Sequence, residues 1–459
     1  MDKTLYIKTF GCQMNERDSA IMEQILAKDG YIPCPDPELA DTIILNTCSI
    51  RGKAEQKVYS LLGQLRALKE RNPSLCIVVA GCVAQQDGER IFQRMDHVDI
   101  VVGTQQLYRL ADLVDRVRRC PGKKELATAM DDQFSIPPYA TFRGRRPPSP
   151  SIGRVFRRFV TIMQGCNNFC SYCVVPTTRG RETSRSVADI LDEVTILVQE
   201  EGVKEVTLLG QNVNSYGQTN PVADRTTTFA DLLRMVAAVE GLERLRFTTS
   251  NPKDLSDDLM RCFAELENLC PHIHLPVQSG SNRVLARMNR KYSVETYLDK
   301  VARLRTYQPD IALSTDFIVG FPGETEEDFS ATIRLMESVR FHSSFSFKYS
   351  DRPNTRSAAF GDKIDEAVKS RRLQELQTLQ DEISLERNNE YLGKKIDVLV
   401  ESSNTDCFQG RTGTNHIVHV TSRCQPAPGD TVKVAITHAG NHSLQGVLDE
   451  NNDERLITS

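Results

Sequence analysis

Cys166, Cys170 and Cys173 lie inside the stretch GCNNFCSYC (165–173), separated by three residues and then two. Grouped thiols in a chain without a secretory pattern point to metal, cluster or redox chemistry rather than to disulfides. A closed structural zinc site takes four ligands. His272 and His274 are remote in sequence but could complete one, so zinc stays open. A [4Fe–4S] cluster is normally held by four thiolates. Held by three, it keeps one iron free for a substrate or cofactor, and a loop of this spacing can wrap three corners of a cube.

Cys12, Cys48 and Cys82 form a second set by position rather than by proximity. They end TFGC, LNTC and VAGC, and each follows a β-like run by one or two residues. In an open parallel sheet the strand C-termini share one edge, where ligands collect. Three cysteines at that edge converge, and a second three-thiolate cluster is the favoured reading over three buried thiols. Cys34, Cys76, Cys120, Cys262, Cys270, Cys407 and Cys424 show no such equivalence and are assigned to packing or surface.

The elements that must position these cysteines alternate in type. TLYIKTF (4–10), TIILN (42–46), CIVVA (76–80) and DIVV (99–102) read as strands with helices between them, so residues 1–118 are expected as an open parallel-sheet domain. The Pro- and Arg-rich stretch 119–151 reads as a linker. From 152 to 382 six further strands, at 158–163, 205–210, 244–250, 272–277, 311–320 and 344–350, alternate with helical patterns. They suggest a partial (βα)6 TIM-like barrel with its active-site loops at the strand C-termini. One amphipathic helix is expected over 363–387. Short strands broken by Gly, Pro and Asn then suggest a small antiparallel, OB-like β-barrel over 385–448.

A length of 459 residues exceeds a single core. No apolar run approaches the roughly 20 residues of a membrane span, and the N-terminus lacks a signal-peptide pattern, so a cytoplasmic protein is expected. The formal charge of −4 argues against wholesale coating of nucleic acid. Between Arg143 and Arg185, however, nine arginines (143, 145, 146, 154, 157, 158, 179, 181 and 185) face one acid, Glu182, an excess able to attract phosphate.

The spacing CxxxCxxC with Tyr172 before its last cysteine resembles the radical S-adenosylmethionine (SAM) enzymes. Around it, TFGCQMNERDS, NTCSIRGKAEQKVYSLLGQL, VAGCVAQ, GCNNFCSYCVVPTTRGRETSR, TLLGQNVNSYG, HIHLPVQSGSNRVLARMNRKY, STDFIVGFPGETEEDF and KYSDRPNTRSA resemble the radical SAM methylthiotransferases over residues 4 to about 448. NTCSIR and CVVP are similar to the MiaB type, which acts on N6-isopentenyladenosine at position 37 of tRNA. Thr177 stands where an aromatic is expected in CVVPYTRG, and Asn354 where RPGT has glycine.

The resemblance implies two [4Fe–4S] clusters, one on Cys12, Cys48 and Cys82 carrying or donating sulfur, the other on Cys166, Cys170 and Cys173. It implies SAM both as methyl donor and as source of a 5′-deoxyadenosyl radical that opens the adenine C2–H bond, with Tyr172 beside the cofactor. Gly210 and Gln211 become candidates for the SAM amino group, Ser250 and Asn251 for its ribose, and Gln278 and Ser279 for the catalytic face. GFPGE (320–324) could pass its backbone along adenine. The C-terminal barrel is implied to be a TRAM RNA-binding domain, with Phe408, His416 or His419 able to stack on bases. Implied partners are a tRNA carrying isopentenyladenosine, an electron donor such as a flavodoxin or ferredoxin, and a sulfur source. A monomer is the default. Two other functions compete: a methylthiotransferase acting on a ribosomal-protein aspartate or on threonylcarbamoyl-adenosine tRNA, and a non-catalytic Fe–S or zinc RNA-binding protein. This sorting of the cysteines predicts that Cys170→Ala abolishes deoxyadenosine release from SAM and that Cys407→Ala leaves it intact, a difference read by chromatography of the reaction.

Overall fold

The computed structural model describes residues 3–49, 52–144, 155–218, 227–422 and 424–449. Its N-terminal sheet contains β1 (Lys3–Thr9), β2 (Tyr31–Pro33), β3 (Thr42–Thr47), β4 (Cys76–Gly81), β5 (Ile100–Val102) and β6 (Glu125–Ala127). All pairings are parallel, in the order β2-β1-β3-β4-β5-β6. Every residue of β3 and β4 is buried, because both faces are covered. Ile44, Val78 and Ala80 face α1 (Gln13–Ala27), through Ile21, Met22, Ile25 and Leu26. Ile43, Leu45, Ile77 and Val79 face Val58, Leu62 and Leu65 of α2 (Gly52–Arg71).

Part of the stretch read as linker belongs to this sheet. Glu125–Ala127 pairs with β5, and Tyr139 and Phe142 pack into the core under α1. Their apolar groups are too widely spaced among polar residues and prolines to give a periodic signal. Arg145, Arg146 and Arg154 lie outside the described residues.

The central unit holds β7 (Arg157–Thr161), β8 (Met163–Gln164), β9 (Thr183–Ser184), β10 (Glu205–Leu209), β11 (Arg244–Phe247), β12 (His272–His274), β13 (Ala312–Val319) and β14 (Ser343–Lys348). The parallel sets β7-β10-β11 and β12-β13-β14 are joined by a lone parallel bridge, Leu245 to Leu269. Among the described residues β7 and β14 do not pair, so the barrel of six βα units is partial. Hydroxyl side chains of Ser186, Thr228, Ser256, Ser281, Ser293 and Thr325 cap its helices.

A helix, Glu366–Asn389, packs on β14 and leads to β15 (Lys395–Ser403), β16 (Cys407–Thr412), β17 (Ile417–Thr421), β18 (Thr431–Ala439) and β19 (Ser443–Leu448). These close as β15-β16-β17-β19-β18. The barrel is not wholly antiparallel: β17 and β19 run parallel. Pairing direction between non-consecutive strands has no local sequence signal. The small barrel lies across the base of the central sheet. Arg244 donates to the carbonyls of Arg411 and Asp397, Arg246 to those of Thr412 and Gly413, and Arg157 pairs with Glu401 at 2.5 Å.

The N-terminal domain is fixed to the central barrel by buried charge. Arg17 of α1 pairs with Glu193, which also binds Arg185 at 2.6 Å; Arg185 binds Asp189, and Asp189 accepts from the Tyr139 amide. Arg17, Glu193 and Arg185 are almost wholly buried. Removing one member of a buried ion network strands the others in low dielectric, at a cost of about 3–5 kcal/mol. Glu193→Ala, which leaves two guanidiniums unneutralised, is therefore expected to lower the thermal unfolding midpoint clearly; an unchanged midpoint would show that the network contributes nothing net.

Candidate iron–sulfur active site

Cys12 caps α1 immediately after β1, Cys48 follows β3, and Cys82 opens the short helix α3 (Cys82–Asp87) after β4. Because β1, β3 and β4 are adjacent and parallel, the three thiols meet at one edge of the sheet. The Cys12 thiol is drawn down to about 6, first by its hydrogen bond with Cys48 and then by the nearby charge of Arg179. Cys82 is pushed up by burial and drawn back by the same guanidinium. Close approach needs a residue without a side chain before Cys12. Gly11 has φ +106°, and a Cβ there would sit 2.5 Å from the Cys48 Sγ.

The second triplet follows β8. Gly165, at φ +80°, has no room for a Cβ because the Arg181 carbonyl lies 2.0 Å from where it would be. Asn168 Nδ2 and the Val175 amide point at the sulfurs of Cys166 and Cys173, each at 3.5 Å. Arg290 is half-buried and donates to Cys170 Sγ at 3.4 Å, to the Pro276 carbonyl at 2.9 Å and to the Tyr292 hydroxyl. Burial pushes the Cys173 thiol up to about 12, and the charges of Cys170 and Cys166 add to it. Such thiols ionise when a cation arrives.

Each trio thus has one guanidinium beside it, buried at Arg179 and half-buried at Arg290, and sequence reading missed both. Arg179 was counted only as part of a basic cluster. It is buried, and it donates to Asp18 Oδ2 at 2.6 Å and to Asn15 Oδ1 at 3.0 Å, both on α1. Its neighbours tie the same loop to the other trio. The Gly180 carbonyl accepts from the Cys166 amide, and the Thr178 carbonyl accepts from Thr104 Oγ1 of the N-terminal domain. Within TTRGR (177–181) nothing local separates buried Arg179 from exposed Arg181; the partners that do so, Asp18 and Asn15, come from far along the chain.

The described members of the basic cluster are paired with acids. Every described member faces an acid: Arg143 Glu200, Arg157 Glu401, Arg158 Glu201, Arg179 Asp18, Arg181 Asp132 and Arg185 Asp189 with Glu193. A count of charges along the chain cannot show acids brought in from distant segments.

The candidate cofactor contacts separate into two kinds. Gln211 Oε1 accepts from the Gly165 amide, one residue before Cys166, and Gly210 lies against Met163 without space for a side chain. Ser250 is buried and its Oγ has no partner among the described residues; the same holds for Gln164 Nε2 and Asn214 Oδ1, all near strand C-termini. Gln278 is held at φ +74° by a bridge to Phe317. Two others serve local structure. Asn251 caps the turn Pro252–Asp254, and Ser279 turns toward Thr332 and the Ser281 amide. In the small barrel Phe408 is core, and His416 is packed between His342 and Tyr391, so neither is free to stack on a base; His419 is exposed. Asn354 adopts φ +62°, a conformation asparagine tolerates, so it fills the place of glycine without altering the loop.

Three converging thiols, unpartnered buried donors and acceptors, and an adjacent guanidinium fit an iron–sulfur group at each trio. His272 and His274, the histidines a zinc site would recruit, are both hydrogen-bonded to Ser314.

The family model described as uncharacterized protein family UPF0004 matches residues 4–103, and that of the radical SAM superfamily matches 160–336. A protein named tRNA-2-methylthio-N(6)-dimethylallyladenosine synthase in Desulfotalea psychrophila is 56% identical over 98% of this chain and 99% of its own. A protein of the same name in Geobacter sulfurreducens is 49% identical over 97% and 98%. Among solved structures, the radical SAM methyltransferase TsrM from Kitasatospora setae, with tryptophan and a SAM analogue, superposes with a TM-score of 0.58. It is 14% identical and covers 78% of this chain and 75% of that one, a likeness of fold. With a radical SAM core and near-complete coverage by such relatives, this chain belongs to the tRNA-2-methylthio-N(6)-dimethylallyladenosine synthase family.

Proposed function

We propose that the protein methylthiolates C2 of N6-dimethylallyladenosine at position 37 of tRNA. The observation that carries this reading is the meeting of two cysteine trios on either side of the 178–181 loop, in a chain so close to the named relatives. When bound, the groups supply one-electron cleavage of SAM at Cys166, Cys170 and Cys173 and sulfur at Cys12, Cys48 and Cys82.

The chain's own residues bind, orient and exclude water. Arg179 lowers the cost of collecting thiolate charge at the sheet edge, and Asp18 holds it there. Arg290 does the same at Cys170 and ties that loop to the end of β12. Tyr172, between Cys170 and Cys173, packs with Ile318 and Phe360 around Val284, Met288, Phe321 and Tyr349, anchoring the second trio's loop to the core. Gln211 fixes the Gly165 turn, and Ser250 leaves a buried hydroxyl to be satisfied. The reading places the protein in the cytoplasm as a monomer, supplied by a flavodoxin or ferredoxin and by a sulfur source.

The test is nucleoside mass spectrometry of tRNA from a strain lacking the gene. Loss of 2-methylthio-dimethylallyladenosine with accumulation of its precursor is expected; an unchanged profile would turn attention to a protein substrate. Reconstituted protein should hold about eight irons, and Cys48→Ala about four, as two clusters require. Arg179→Met should lower auxiliary iron occupancy or methylthiolation by about 10–100-fold, the usual cost of losing an outer-shell partner. Wild-type iron content and rate in that variant would remove Arg179 from the mechanism.

A further inference from the structure

The inner wall of β12–β14 carries side chains that the chemistry so far leaves unused. Ile273, Leu313, Phe317 and Val319 face outward into the helix-covered core. The alternate residues face the other way, and they are mixed: His272, His274, Ser314 and Asp316 with Phe345 and Phe347. The two phenylalanines are 52% and 39% exposed, unusual for large rings on a strand of a barrel. They stand two residues apart, so they share one face.

The polar members lie in contact with one another. Ser314 Oγ lies 3.2 Å from His272 Nε2 and 3.0 Å from His274 Nδ1, and His274 Nε2 lies 3.3 Å from Asp316 Oδ1. Ser314 Oγ thus bridges the two imidazoles, and His274 approaches the Asp316 carboxylate as a charge contact without an aligned hydrogen bond. Asp316 Oδ2 is left without a bond among the described residues. Phe345 is the cross-strand partner of Asp316 and lies edge-on to His274, with ring centroids 5.9 Å apart. An acceptor with a spare oxygen is thereby set beside an exposed aromatic surface.

The wall is continuous with the radical site. Phe347 pairs across the sheet with Ile318, which packs in the same apolar cluster as Tyr172. Ile318 donates its amide to Gln278, and the strand before Gln278 is held by Arg290, which also binds Cys170.

We propose that this wall seats the N6-alkylated adenine: Phe345 and Phe347 take the branched prenyl group, and the free oxygen of Asp316 accepts the N6–H. The inference rests on the function proposed above. A secondary amine bearing an apolar substituent asks for this pairing, an acceptor next to a greasy surface, whereas an unmodified adenine would leave both rings wet.

The test uses reconstituted enzyme and two synthetic anticodon stem-loops differing only in the prenyl group. Wild-type enzyme is expected to bind the prenylated RNA at least about tenfold more tightly, the scale set by filling or emptying an apolar pocket. Phe345→Ala and Phe347→Ala should each erode that preference by weakening the prenylated RNA alone, with iron content and affinity for the unmodified RNA kept. Phe345→Leu should restore most of it. Asp316→Asn, which turns a donor toward the N6–H, should erode it too. An unchanged preference in the variants, or equal loss on both RNAs, overturns the proposed seat. If wild-type enzyme methylthiolates the prenylated RNA while the variants show either result, only the seat is lost. If it fails to methylthiolate that RNA at all, the functional reading fails with it.

Discussion

The structure depends on a short loop held between two domains. Residues 178–181 leave the radical-site loop, place Arg179 against Asp18 and Asn15 of the N-terminal helix, and return a carbonyl to the Cys166 amide. A buried guanidinium is costly unless its charge is met. Here it is met twice, by a fixed carboxylate and by the thiols of the sheet edge. The interaction that joins the domains is therefore also the one that makes a cluster of thiolates tolerable. Neither trio can shift far without disturbing the other.

The backbone follows from the same demand. A sulfur-rich site needs several chain segments at close quarters, with little room for side chains between them. Gly11 and Gly165 remove the Cβ atoms that would collide with Cys48 and with the Arg181 carbonyl. Parallel β1, β3 and β4 bring three remote segments to one edge without any local turn linking them. The buried Arg17–Glu193–Arg185 network then fixes the angle between sheet and barrel, which hydrophobic packing alone would set less specifically.

Much of this was legible in the sequence, for identifiable reasons. Strand–helix alternation and the place of each cysteine after a strand are local patterns, and they led to both trios and to six strands of the central barrel. The basic cluster misled because ionic partners such as Asp18, Glu193 and Glu401 arrive from far along the chain. The strand at 125–127 was hidden by its shortness and its polar neighbours. The contact of Ser279, a cofactor-binding candidate by position, with Thr332 is one only the fold creates. The parallel pairing of β17 with β19 is a topological fact with no sequence period to announce it.

The small barrel meets the base of the larger one at β7, β11 and the segments around Pro271 and His342, through Arg157, Arg244, Arg246 and the ring contact of His342 with His416. A load on the small barrel is thereby handed to β7, the strand that leads through β8 into the second cysteine trio, so a grip on RNA at one end of the molecule reaches the sulfur ligands through a single stretch of backbone.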